Sequence, residues 1–437
     1  MNTIFHHQTF VKPVFFRILM ISFFVFSCSS TRIPGSATVD IPEDFFGLVH
    51  AGSTRTLEEY QLLDEMGVAW ILNTFYWGSI EREKGNFDFS HYDSYVGTAK
   101  RHGKKVIAVL AYEVSWLFPD GKGKSYISPE NTPHFLNFVE EMVKHFQGRV
   151  DVWNVWNEPN VPRFWKGSNK DFYELSRLTA QKIRETDPNA YIIGGAFMRS
   201  PKRFIKKMNQ AGGMENLDGL AFHPYALNPE GSMRLHDKIV RICSDINFTG
   251  SVWITEIGHP TGGWYPHKAS LEKLPAHVVK DMTGAAIRKE ARAMLWYQLF
   301  DHYNADEVPS KEKKDSENFF GLVYPNYQRK DGANAYALCA NFLPGSRYIP
   351  ELPQRENIPS SIVSFYFQGG ISGNNTLVLW NDRKRSKKVK LYLESPATLY
   401  DVTTGKGTPL STETSLDIGK KPLIITWQGA DVPRLSR

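Results

Sequence analysis

The chain has 437 residues, 41% hydrophobic and 13% aromatic, ample for a sizeable core with a smaller second unit and too apolar for a disordered chain. Its formal charge of +6 includes Lys12 and Arg17, which precede Cys28 with no acidic residue between, so a chain beginning at Cys28 carries +4. That balance is too mild for a nucleic-acid binder, and the basic run "RKRSKKVK" at 383–390 reads as a solvated hairpin rather than a polyanion site.

At the N-terminus, Lys12 and Arg17 precede the apolar "ILMISFFVF" at 18–26, followed by "SCSS". The apolar run is too short to span a bilayer, and the pattern is that of a secretory signal over residues 1–28. The sequence "VFSC" resembles a bacterial lipoprotein signal, which makes Cys28 the expected lipidated residue. Export to the cell envelope through that lipid, with no other membrane contact, is the expectation; an ordinary cleaved signal or an uncleaved anchor is the alternative. Residues 29–40 then read as a linker. Only Cys243 and Cys339 remain, so at most one disulfide can form and none is required.

From residue 41 to 344, eight short β-rich runs alternate with helical stretches. They are "FFGLVHA" at 45, "VAWILNTFYW" at 68, "KKVIAVLAY" at 104, "VDVWNVW" at 150, "YIIGGAF" at 191, "LDGLAFHPY" at 217, "SVWITEIG" at 251 and "ARAMLWYQLF" at 291. Several are almost continuously apolar, as parallel strands covered on both faces are. The helices between them have legible ends. Thr56 to Glu59 has capping-box spacing, and Thr132 before Pro133 reads as an N-cap. Phe135, Phe138, Met142, Val143 and Phe146 form a one-sided stripe that stops at Gly148, and a further helix over 171–186 ends before Pro188. Eight strand–helix repeats predict an α/β fold, a (β/α)8 TIM barrel. A doubly wound sheet is disfavoured because no glycine-rich nucleotide loop follows the first strand. After the turn-rich "PGSRYIPELPQ", residues 345–437 alternate in short strands and predict a small antiparallel β-sandwich domain.

In such a barrel the strand C-termini are where chemistry is sought. The fourth run ends in "WNEPN", placing Asn157 and Glu158 there, and the seventh places Glu256 there. His223 and Tyr225 end the sixth, Tyr76 and Trp77 the second, Glu113 follows the third and Trp296 lies in the eighth. Paired carboxylates at one mouth are the minimal equipment for glycosidic cleavage. One donates a proton to the leaving oxygen while the other meets the developing oxocarbenium carbon, which requires their pKa values to be pushed apart. Glu113 reads as a substrate or lysine partner. The tryptophans, Trp116 among them, are candidates for either sugar platforms or core.

"WNVWNEPN" and "VWITEIG" resemble the acid/base and nucleophile signatures of retaining glycoside hydrolases of clan A. The stretch from Trp156 to Phe197, with Phe164 and Trp165 after the motif and Gly194 and Gly195 at the fifth strand, is most similar to glycoside hydrolase family 39. The resemblance covers roughly residues 45–343. It implies Glu158 as acid/base and Glu256 as nucleophile in a double displacement on an oligo- or polysaccharide. It also implies that Asn157 contacts the hydroxyl beside the anomeric carbon, Tyr225 holds Glu256 ionised, His223 binds or orients, and Trp296 is a stacking floor, with Trp77 and Trp165 further binding candidates. The continuation "GHPTGGWYPH" after Glu256 departs from many xylosidases of the family, which leaves the sugar open. No cofactor is expected, and no Cys/His cluster has metal spacing. The rival readings are a non-catalytic carbohydrate-binding barrel lipoprotein and a transglycosidase.

Overall fold

A computed structural model describes residues 37–118, 125–264 and 268–437 of the chain. The expected signal, Cys28 and all but the end of the linker lie outside the described residues.

Eight parallel strands close into a barrel: Phe46–Val49, Trp70–Tyr76, Lys105–Ala111, Val152–Val155, Ile192–Met198, Gly219–His223, Ser251–Ile257 and Ala291–Trp296. Closure is made where Gly47 pairs with Leu295. Seven strands fall within the apolar runs read from the sequence, and the fifth, Ile192–Met198, passes its run by one residue. The reason is physical, since strands walled by helices outside and by side-chain layers inside leave no face for polar residues. Strand backbones here are buried almost throughout.

The helices between strands bury one stripe each. In the helix Thr132–Phe146 the buried positions are Phe135, Phe138, Val139, Met142, Val143 and Phe146. Its cap differs from expectation by one residue. Asn131 is the N-cap, without a side-chain cap bond, because the Thr132 hydroxyl is spent on Ser128 O at 3.1 Å. Half of the capping box at Thr56 forms: the Thr56 hydroxyl accepts from Glu59 N at 3.1 Å. The Glu59 carboxylate turns instead to the backbone N–H groups of Gly52, Thr54 and Arg55. The helix expected over 171–186 spans Asn169–Thr186, opened by Ser168 accepting from Asp171 N.

Beyond the barrel lie two sheets. The larger contains Val39–Asp40, Ser346–Tyr348, Ile362–Gly369, Asn375–Asn381, Leu423–Trp427, Ala397–Asp401 and Gly407–Leu410 in that spatial order, so the last residues of the expected linker contribute its edge. The smaller contains Gln354–Glu356, Arg434–Ser436, Lys387–Tyr392 and Glu413–Ile418. Pairing is antiparallel except between Gln354–Glu356 and Arg434–Ser436. Alternation along Ile362–Gly369 explains how the unit attaches. Ile362 and Tyr366 face the sandwich core, whereas Val363, Phe365 and Phe367 join the core continuous with the barrel. The basic run is exposed from Asp382 to Lys388, as a solvated hairpin is. Cys243 and Cys339 are free and buried.

Candidate active site

The fourth strand does not end as an ordinary strand. Trp156 and Glu158 adopt left-handed backbone conformations, with φ of 63° and 43°, a costly arrangement for residues bearing side chains. It is held by the neighbouring strand: Glu158 N donates to Ala196 O at 3.1 Å, and Ala196 is itself left-handed at 39° where the register between the fifth and sixth strands shifts. Asn160 closes the turn by bonding reciprocally to the backbone of Met198, donating to its O and accepting from its N, both at 3.0 Å. The polar run at 157–160 therefore does two jobs. Asn160 fixes the turn, and the twist it fixes points Glu158 into the barrel mouth.

There Glu158 meets His223, whose Nδ1 lies 2.7 Å from Glu158 Oε1 and 3.4 Å from Glu256 Oε2. The Tyr225 hydroxyl donates to Glu256 Oε2 at 3.0 Å. Oxygens of both carboxylates and a ring nitrogen of His223 all lie within 4.8 Å of one another. The imidazole is thus shared by two acids, and its side chain is 1% exposed, against 9% for Glu158 and 16% for Glu256. Burial opposes the imidazolium, but the negative charges of Glu256 and Glu158 outweigh it and hold His223 above its ordinary value. Burial pushes Glu256 up to about 7, helped by the charge of Glu158 and opposed by His223 and the Tyr225 hydroxyl. The Tyr225 hydroxyl favours the ionised form of Glu256, and desolvation opposes it.

Both carboxylates open into a cavity of about 410 Å³. Asn157 lines it, its Nδ2 donating to the Tyr112 hydroxyl at 3.0 Å. His50, Tyr76, Tyr112, Phe164, Tyr297 and Glu317 complete the wall, with Arg163 at the exposed rim. Glu317 accepts from the Tyr297 hydroxyl at 3.1 Å, and burial raises its pKa. The wall after the eighth strand is stapled from behind. Lys330 and Asp301, both fully buried, pair at 2.5 Å, and Asp301 also accepts from Gly321 N at 2.7 Å. A larger cleft of about 520 Å³ lies at the opposite end of the barrel, where strands begin. Barrel chemistry resides at the other face.

Four expected binding residues lie elsewhere. Trp296 is completely buried and packs beside His259, ring centroids 6.0 Å apart. Trp77 opens a short helix, bonds Glu81 through Nε1 at 2.5 Å and stacks on Phe138. Trp165 is buried against Trp156 and Phe172, its Nε1 donating to Ser168 O. Glu113 accepts from the backbone N–H of Ser125 at 2.8 Å, a loop-closing bond outside the cavity wall. Trp116 likewise packs edge-on to Trp77. Beside each of Trp77, Trp165 and Trp296 an immediate neighbour faces the cavity instead: Tyr76, Phe164 and Tyr297. A strand or extended turn sends successive side chains to opposite sides, and an apolar run does not reveal which parity points inward. Arg163 and Glu317 carried no sequence signal of their own, because loops bring them in from distant positions, whereas Tyr112 ends the third apolar run and was open to the same strand-end search.

Glu158, His223 and Glu256 are also the one group of three among the described residues whose donor atoms converge closely enough for a metal ion. As ligands they would need the Nδ1 lone pair. The 2.7 Å contact to Glu158 already engages that nitrogen, as donor or acceptor according to the tautomer, so this donor set suits proton transfer better than coordination.

Residues 46–175 match the family model described as glycosyl hydrolase family 10, a family of clan A. Among characterised proteins, the chain is 32% identical over 127 residues to endo-1,4-beta-xylanase A of Thermotoga neapolitana, covering 26% of this chain and 12% of that protein. It is 33% identical over 85 residues to a beta-xylosidase of Geobacillus stearothermophilus, covering 18% and 17% respectively. The chain therefore spans well under a fifth of either relative. A family 39 glycoside hydrolase from Bacteroides cellulosilyticus WH2 superposes with a TM-score of 0.72 over 89% of this chain and 81% of that one, at 19% identity, a likeness of fold. The clan A, family 39-like character read from the sequence agrees with the matched family model and with that fold.

Proposed function

We propose that this chain is a retaining glycoside hydrolase of clan A that cleaves O-glycosidic bonds of an oligo- or polysaccharide, with Glu158 as acid/base and Glu256 as nucleophile. One observation carries the reading: two strand-end glutamates face one cavity, with one oxygen of each within 4.8 Å of the other. Retaining enzymes hold their carboxyl groups about 5–5.5 Å apart, whereas inverting enzymes need roughly 6.5–9.5 Å to admit a water. An approach this close favours double displacement.

In that reaction Glu158 donates its proton to the leaving oxygen as Glu256 forms the ester bond to the anomeric carbon. Water then attacks that carbon, giving up a proton to Glu158 and releasing Glu256. His223 hydrogen-bonds Glu158 and lies 3.4 Å from Glu256. It stabilises whichever is anionic and keeps the two from repelling each other unscreened. Tyr225 leaves Glu256 one free oxygen for attack. The second N–H and the Oδ1 of Asn157 remain for a sugar hydroxyl. Xylan-type substrates are the first class to test, since the two characterised relatives are a xylanase and a beta-xylosidase. Export and lipidation at Cys28 remain part of the proposal, supported by the pattern at residues 12–28.

The test is stereochemical. Proton NMR of early products from an aryl β-glycoside must show the β-anomer first, and a 2-fluoro glycoside must label Glu256. An α-anomer as the first product would sink the retaining assignment, and inertness toward a broad glycoside panel combined with glycan binding would favour a binding barrel.

A further inference from the structure

The segment that departs from the family pattern, "GHPTGGW" at 258–264, is bound down at every step. His259 pairs with Asp281 at 2.8 Å, both buried. Thr261 N donates to Phe319 O at 3.0 Å, and the Thr261 hydroxyl accepts from Lys330 Nζ at 3.0 Å. A Cβ on Gly262 would lie 2.7 Å from the Phe319 ring. Gly263 has φ of 74°, and a Cβ there would overlap the backbone of Ser316. Both glycines are therefore required for the loop to lie flat on 315–319. Trp264 N then donates to Lys314 O at 2.9 Å.

All this anchoring ends in an indole that is 86% exposed, the most exposed large hydrophobic side chain among the described residues. Leaving a Trp in water forgoes apolar burial, while the contacts beneath it fix the backbone that presents it. The surface to which the loop is fixed is continuous with the cavity, since Glu317 and Phe320 from that same segment line it. Tyr76, 45% exposed, also lines the mouth.

We propose that Trp264 is a stacking platform for a pyranose ring outside the cavity, which makes the substrate a glycan chain longer than the ring held between Glu158 and Glu256. The apolar C–H face of a pyranose covers one face of an indole, and a pre-fixed platform avoids the ordering cost on binding. This inference rests on the glycosidase reading and assigns it an extended polymeric substrate.

The experiment compares the unaltered protein with Trp264→Ala and Trp264→Tyr. In one arm, kcat/KM is measured on 4-nitrophenyl β-xyloside and on β-1,4-xylo-oligosaccharides of two to six units. The ratio of long to short substrate is expected to fall about tenfold in Trp264→Ala, and Trp264→Tyr is expected to recover most of it. In the second arm, the Glu256→Gln protein with and without Trp264→Ala is run in affinity gels containing xylan, β-glucan, mannan or alginate. Retardation by at least one polymer that weakens in Trp264→Ala supports the platform. An unchanged ratio, or gels that retard both proteins alike or neither, overturns it. Failure of the glycosidase reading shows separately, as absence of turnover of every member of the broad glycoside panel by the unaltered protein.

Discussion

Replacing Tyr225 by Phe removes one hydroxyl and tests the electrostatics of the nucleophile. That hydroxyl donates to Glu256 Oε2 at 3.0 Å and favours its ionised form, against burial that pushes the group up to about 7. A hydrogen bond to a charged group is worth about 1.5–3 kcal/mol, and 1.36 kcal/mol corresponds to one pH unit. At the low end, the apparent pKa rises by ~1.1 units. Since the ionised carboxylate attacks, the acidic limb of kcat/KM must move to higher pH by about that amount. The ionised fraction at pH 7 then drops from about one half to roughly 7%, a loss of about sevenfold that shrinks as pH rises. The limb belongs to the Glu158, His223 and Glu256 ensemble rather than to one group. The assay is kcat/KM on an aryl β-glycoside from pH 4 to 9, with circular dichroism confirming the fold. A limb that stays in place while kcat/KM falls equally at all pH values refutes the electrostatic role and leaves Tyr225 a mere wall.

Glu256→Gln is expected to abolish turnover while keeping glycan binding, read by calorimetry. Glu158→Gln is expected to lose about 10²–10⁴-fold on substrates with poor leaving groups and to yield a β-glycosyl azide when azide is supplied; an α-azide contradicts double displacement. Trp296→Ala and Trp165→Ala are expected to cost about 3–5 kcal/mol in urea unfolding as core truncations, whereas Phe164→Ala raises KM with little loss of stability; the reverse pattern restores the platform reading of the tryptophans. Lys330→Met strands Asp301 as a buried charge and is expected to destabilise by about 3–5 kcal/mol, with Asp301→Leu/Lys330→Met recovering part of it. Cys28→Ala is expected to abolish incorporation of labelled palmitate in a bacterial host, and equal labelling of both proteins rules out lipidation there.

The barrel was legible because its strands are buried on both faces, which writes each as an uninterrupted apolar run. The two glutamates were legible for the same reason: once Val152–Val155 and Ser251–Ile257 are strands, Glu158 and Glu256 stand at or just past their carboxyl ends. Side-chain parity was not. Trp77, Trp165 and Trp296 drew attention by residue type, yet Tyr76, Phe164 and Tyr297 face the cavity. Glu317 was invisible because its place depends on a loop folded over Thr261 and Lys330, a tertiary arrangement with no periodic trace. The Thr132 cap slipped by one residue because the preceding Ser128 carbonyl competes for its hydroxyl, a local contest that composition does not decide.

The left-handed turn at Trp156 and Glu158 bears on transplantation. The carboxylate's aim depends on main-chain torsion, and that torsion is held through Ala196 and Met198 on the adjoining strand. A designer who grafts Asn-Glu-Pro onto another scaffold moves the reactive group without its mount. The portable unit is the two-strand edge from Val152 to Met198.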